Sequence, residues 1–280
     1  VLVQGASAND VVEMVAFDVF SVGDTVSAKD GGNFAGNVGM GGTLGVTGNA
    51  TIGASSAPSL WSSSNNFVIS DTSSDGGMAI LSGTSGNGNV MFSDTTAGAF
   101  SDARGLITYL HASDDMRFMT ANTEHMRINS TGAVTKPLQP AFLAHKNGTH
   151  QDNVAINSDQ TITFSHERFD NNLDFDLTNN RFVAPVTGKY FLTFTTRVGQ
   201  VDTAATYIAL GIITSNYGYR IITDPNYSSD LQYQSMTVTV VADMDASDTA
   251  HIIFNQSGGT AQADINGDLT YTYFSGYLLG

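Results

Sequence analysis

Asp243, Asp245 and Asp248 form a D-x-D-x-x-D pattern between two apolar runs, and Asp264 and Asp268 flank Ile265-Asn266-Gly267 in a similar way. Oxygen-rich loops of this kind suit a hard cation such as Ca²⁺. Neither has the spacing of an EF-hand loop, and ordinary acidic turns share the composition, so calcium stays open. Paired carboxylates also serve glycoside hydrolysis. His145 and His150 flank the four-residue stretch Lys146-Asn147-Gly148-Thr149, as metal ligands or, more simply, as solvated loop histidines. Other motifs stop short of chemistry. Gly83-Thr84-Ser85-Gly86-Asn87 lacks the last glycine of a nucleophile elbow. Gly39 to Leu44 ends in leucine where a dinucleotide loop needs glycine, and Gly188-Lys189 runs into Tyr190 rather than Ser or Thr. The chain has no Cys, which removes thiol catalysis, disulfides and thiolate metal sites. The expectation is a protein with no catalytic site, no cofactor and no resident metal.

Chemistry of recognition is better represented. Tyr217, Tyr219 and Tyr227, with Arg220 and Asn226 among them, fall in stretches that read as loops. Tyrosine and asparagine stack and hydrogen-bond on carbohydrate or protein surfaces at modest entropy cost. These five residues are the candidate receptor contacts.

Composition narrows the class. Only 13% of the 280 residues are charged, and 26 acidic against 11 basic residues give a net charge of −15, spread evenly over both halves. Phosphate backbones and anionic membranes require clustered Lys and Arg, and none is present, so neither nucleic acid nor membrane is an expected partner. No apolar run approaches the ~18 residues of a membrane span. The first residues lack the charged and apolar regions of a signal peptide, consistent with a processed chain or part of a longer one.

The elements that must position these residues are strands. Residues 1–30 read as short strands ending a longer attachment domain. Residues 31–58 contain a six-residue repeat, NFAGNV, GMGGTL, GVTGNA and TIGASS, with an apolar second position in every unit: Phe34, Met40, Val46 and Ile52. This period suits extended chain rather than a helix. Four hexads are too few to bury one another in one chain, so these four residues are candidates for the axis of an intertwined, multi-chain shaft. Residues 59–136 alternate Ser/Gly/Thr/Asn turns with short apolar islands and then a β-meander over Gly105–Leu110, Met116–Thr120 and Glu124–Ile128. Lys136-Pro137-Leu138-Gln139-Pro140 is a linker, because two prolines stop both helix and ladder. Residues 137–280 carry about ten strand-like runs. The alternation of Tyr190, Leu192 and Phe194, and of Met236, Val238, Val240 and Ala242, marks one buried face of an antiparallel sheet. Short strands with a turn every 8–12 residues predict a sandwich or jelly roll.

Two resemblances add to this. The stretch FDLTNNRFVAPVTGKYFLTFTTRV, residues 175–198, and the ending FSGYLLG resemble the globular head of the first complement component, subcomponent q, and its tumour-necrosis-factor-like relatives. Asn180, Phe182, Pro185, Gly188, Tyr190, Phe194, Phe274, Gly276, Tyr277 and Leu278 match that family's core pattern. The resemblance implies a ten-stranded jelly roll that forms trimers and binds ligands through its loops. Residues 105–134 are similar to a segment of bacteriophage tail-fibre proteins, through Tyr109-Leu110-His111 and Glu124-His125-Met126-Arg127-Ile128, with His125 replacing an arginine. Val1 to Val22 also resembles the end of small β domains of phage tail proteins.

The combined expectation is an all-β, homotrimeric protein, with an elongated Gly-rich intertwined shaft followed by a jelly-roll head. It implies an extracellular virion component, a phage tail fibre. Its N-terminal end would join other tail proteins, and its head would adsorb to a host-surface glycan or protein. A trimerisation cap without a receptor role and a polysaccharide depolymerase remain as alternatives.

Overall fold

The computed structural model describes residues 78–94, 103–260 and 262–280. The hexad residues Phe34, Met40, Val46 and Ile52, with the segments 1–30 and 31–58, lie outside the described residues. Every element below belongs to one unit of the chain, Ala79–Gly280, and no helix occurs among the described residues.

Five strands form a single antiparallel sheet in chain order: β1 (Asn87–Ser93), β2 (Ala103–Leu110), β3 (Asp115–Thr120), β4 (Thr123–Ile128) and β5 (Val134–Thr135). Cross-strand register places Val90, Ile107, Phe118 and Met126 in one row, and Tyr109, Met116, Ile128 and Val134 in the next, on the same face. The opposite face carries an ion-pair network. Arg127 reaches Glu124 at 2.7 Å and Asp115 at 3.0 Å, and Arg117 reaches Glu124 at 3.3 Å. The Arg127 hydrogen bonds hold the Glu124 carboxyl below the usual carboxylate range. His125 is the extra residue of a bulge, since Phe118 pairs Met126 while Met119 pairs Glu124. Met78 to Leu81, an apolar island by sequence, forms no strand.

The head is a two-layer jelly roll. Its strands are β6 (Ala141–His145), β7 (Gln160–Thr161), β8 (His166–Asp170), β9 (Phe175–Asp176), β10 (Arg181–Val183), β11 (Gly188–Val201), β12 (Ala205–Thr214), β13 (Gly218–Thr223), β14 (Leu231–Met244), β15 (Thr249–Gly258), β16 (Asp264–Ile265) and β17 (Tyr273–Leu278). The first layer runs β14-β11-β17-β6-β8 and the second β13-β12-β15-β10-β9. The two-residue strands β16 and β7 sit outside these paths, on β11 and β15, so ten strands carry the jelly roll. β8 and β9 do not stand out in the sequence because their residues do not alternate. Beyond the two residues of β7 the chain leaves the ladder, although Ile162 and Phe164 are buried.

Between the layers lies a cluster of phenylalanines. Phe142 stacks on Phe182 at 4.8 Å and Phe175 at 5.1 Å, and meets Phe274 edge-on at 5.0 Å. Each side chain of this size, once buried, contributes about 1.5–3 kcal/mol. Tyr190 joins them, with its hydroxyl donating to the Val186 carbonyl at 2.7 Å, which removes the penalty of a buried hydroxyl. Gly276 has a steric reason. A Cβ there would meet Leu192 at 2.6 Å, Phe142 at 2.9 Å and the Phe191 carbonyl at 3.0 Å. Asn180 takes a left-handed φ of 54°, which asparagine tolerates, and its Oδ1 accepts from the Phe164 amide at 2.6 Å. Phe182, Tyr190, Phe194, Phe274 and Gly276 thus lie in the core. Pro185 does not: it is exposed in the turn before β11, and Gly188 is half-buried at the strand's start.

Candidate functional site

The two ends of the head are defined by β11. Its first residues lie beside the linker and the C-terminus, since the Lys189 amide donates to Gly280 and the Leu278 amide to Pro140. Gly199, eleven residues on, is about 36 Å away along the strand. The distal end gathers the loops 146–159, 202–204, 224–230 and 259–271, all joined to the far ends of the paired strands.

This frame separates the candidate receptor contacts. Asn226 and Tyr227 are exposed in the distal loop between β13 and β14. Tyr217 is 67% exposed but belongs to the opposite end, in the β12–β13 turn. The six residues of β13 hold the two tyrosines roughly 20 Å apart. Tyr219 and Arg220 are strand residues rather than loop residues. Tyr219 faces inward against the core, and Arg220 forms a two-pronged pair with Asp159 at 2.7 and 2.9 Å. That pair, with a hydrogen bond from Asn255, pulls the Asp159 carboxyl down to about 2. Five residues that read as one patch are therefore divided, and only Asn226 and Tyr227 share the distal end.

The acidic clusters are loop fastenings. Asp248 accepts from the Asn216 side chain at 2.7 Å and the Asp245 amide at 2.9 Å. Asp243 and Asp245 line an open cavity of about 410 Å³ with Tyr217 at the linker end. Asp268 caps its own turn through the Thr270 amide and hydroxyl, at 2.7 and 2.6 Å, which lower its pKa. No group of three or more potential metal-ligating side chains occurs among the described residues. The histidines separate too. His150 is an exposed loop residue, whereas His145 is a buried residue of β6 stacked on His166 at 6.0 Å. Burial pushes the His145 pKa down. Next to it, Lys146 is buried with its ammonium donating to Thr163 O and Oγ1 at 2.9 and 3.0 Å, and its pKa is lowered by burial to about 8.

The outward face of the first layer was not singled out by sequence, though it is the other half of the β11 alternation. Phe191, Thr193, Thr195 and Arg197 occupy it. Near the linker, Phe191 contacts Tyr277 at 5.3 Å between centroids and pairs with Val241, which is 52% exposed. Phe169, on β8, is exposed farther along the same sheet. In the middle, hydroxyl pairs Thr193–Thr239 and Thr195–Thr237 close at 2.8 and 3.0 Å.

Comparison with known proteins bears on the same span. Residues 141–279 match the family model of the C1q domain. The jelly roll of these residues is therefore C1q-like. Among solved structures, the head is similar to the globular domain of zebrafish complement 1qA protein, at 16% identity over 51% of this chain and 98% of that chain, with a TM-score of 0.36. Murine APRIL is similar at 10% identity over 50% and 99%, with a TM-score of 0.38. No curated protein matches the chain.

Proposed function

We propose that this protein is a homotrimeric bacteriophage tail fibre, an extracellular virion component whose C1q domain binds a glycan or protein of the host-cell surface through its distal loops. Residues 1–30 end an attachment domain that joins other tail proteins, 31–58 form the intertwined shaft, 59–136 a meander collar and 137–280 the head. The observation that carries the trimer is the apolar patch of Phe191, Tyr277 and Val241, a solvent-facing cluster that further copies of the head would cover. The C1q match supports the same assembly, because domains of this class often trimerise and bind ligands. The fibre role rests on the resemblance of residues 105–134 and on the hexads, whose Phe34, Met40, Val46 and Ile52 need neighbouring chains to bury them. Three copies of a weak distal contact hold a virion by avidity. Recognition rather than catalysis is the role, since the sequence presents no nucleophile with a base and an orienting partner.

The test is competition. Purified protein binds host cells and blocks virion adsorption. A folded trimer that does neither is a cap without a receptor role. Release of new reducing ends from host polysaccharide would mark a depolymerase instead.

A further inference from the structure

Arg197 projects from the outward face of β11, about 20 Å along the strand from Phe191 and beyond the threonine pairs. Its guanidinium carbon lies 4.5 Å from the centroid of the Tyr233 ring and 4.1 Å from that of Tyr271. Contacts of this kind hold a planar cation by attraction to the rings. Arg104, Arg117, Arg127, Arg181 and Arg220 each pair with a carboxylate; Arg168 does not, but it is exposed to solvent and stacks on no ring. No carboxylate among the described residues lies within ion-pair distance of Arg197, and its Nε is buried with no hydrogen-bond partner. Asp268 feels the Arg197 charge but makes no contact with it, so in a chain with 26 acidic residues against 11 basic ones a ring-stacked arginine with no acid in contact is informative.

The surroundings give the ligand's character. Arg197 opens onto a distal cavity of about 350 Å³ lined by His150, Gln200, Gln232, Tyr233, Asp264 and Asn266, at the small end of the roughly 300–1,000 Å³ of small-molecule sites. An arginine stacked on rings keeps its N–H edge for a planar, two-oxygen acceptor, which a carboxylate matches. Asp264 is not that acceptor. Its Oδ1 accepts from the Asn153 amide and its Oδ2 from Gln200, both at 2.7 Å. Its charge opposes any second anion, a doubly charged phosphate more strongly than a singly charged carboxylate. Asn266 accepts from the Asp268 amide at 2.8 Å through Oδ1, which leaves its Nδ2 donors free, and Gln232 is exposed with no side-chain hydrogen bond among the described residues. These amides suit hydroxyl groups, and Tyr233, 55% exposed, offers a ring for the apolar face of a sugar.

We infer that this pocket binds a carboxylate-bearing sugar of the uronic-acid type, with Arg197 on the carboxylate and Gln232 and Asn266 on the hydroxyls. This deepens the proposed host recognition and rests on it. The competing occupant is a carboxylate of a second copy of the chain.

The full-length protein, with its Arg197→Gln, Arg197→Lys and Gln232→Ala variants, is titrated calorimetrically with a galacturonic acid trisaccharide and with the uncharged galactose trisaccharide. Melting temperature and particle mass are measured on each. The wild type binds the acidic sugar and not the neutral one. Both arginine variants bind at least tenfold more weakly, because lysine keeps the charge but not the fork. Gln232→Ala, a change at an exposed side chain, weakens binding severalfold with folding intact. No binding by the wild type, equal binding of both sugars, or unaffected variants would overturn the inference. So would a fall in particle mass on Arg197→Gln, which would assign the arginine to a subunit contact. Host adsorption that survives Arg197→Gln while the acidic sugar does not bind removes this pocket and leaves the fibre role standing. Failure of the wild type to adsorb at all removes the role itself.

Discussion

Phe142 in the jelly roll and Phe118 in the β1–β5 sheet are both mid-strand phenylalanines of an antiparallel sheet. Phe142 is 1% exposed because a second layer brings Phe175 and Phe182 onto it. Phe118 is half-buried, and its row of Val90, Ile107 and Met126 has no second layer among the described residues. An alternating pattern makes a face; only a second layer makes a core. The head therefore holds its stability within itself, and the five-stranded sheet depends on whatever covers its apolar face.

The comparison breaks if the two phenylalanines respond alike. Phe142→Ala should destabilise the head by about 3–5 kcal/mol, as a core cavity does, read from the midpoint of denaturant unfolding. Phe118→Ala should leave that head transition unchanged and raise only the protease sensitivity of residues 79–135. A smaller effect sharpens the packing claim. Gly276→Ala should cost about 1–3 kcal/mol, since a Cβ at Gly276 meets the Phe191 backbone as well as two side chains. A cost near zero would mean that β17 and β11 are looser than described.

Two pH effects follow, the first of similar size and the second smaller. Lys146 has a folded pKa of about 8 against 10.5 for the free side chain. Its charged form is therefore disfavoured in the folded state. The penalty is complete below about pH 8 and is relieved as pH rises towards 10.5, so head stability contains a rising component there. Lys146→Met should flatten it, by about 1–3 kcal/mol across that window. Asp159 acts in the opposite range. Its pKa is lowered from 3.8 to about 2, so its contribution is present above pH 4 and lost as pH falls towards 2. Solvent screens the pair with Arg220, which limits it to less than about 1 kcal/mol. Arg220→Ala should remove that much of the acid sensitivity.

Much of the head was legible in the sequence. Tyr190, Leu192 and Phe194 marked the buried side of β11, and Met236, Val238 and Ala242 that of β14, because strict alternation survives where one face is packed. His166–Asp170 and Phe175–Asp176 carry no such signal, since edge strands are held by their neighbours. The candidate site was less legible. Tyr217 and Tyr227 are ten residues apart in sequence and at opposite ends of the head, because β13 runs between them. Arg197 carries no signal in the sequence, because β14 and the turn before β17 place Tyr233 and Tyr271 beside it, a convergence of residues far apart in the chain. His145 was read as a solvated loop histidine because its burial comes from the β7–β8 segment, where His166 stacks on it, not from its own neighbours.

The central claim is that the apolar patch of the head is covered by further copies of the same chain. Mass photometry of the full-length protein beside its Val241→Asp variant tests it directly. The account predicts a wild-type particle of about three chains of 29.5 kDa. It predicts a shift of the variant toward smaller species while the head still melts cooperatively, because Val241 faces solvent in the single chain. A folded wild-type monomer, or a Val241→Asp variant that assembles as the wild type does, would contradict it.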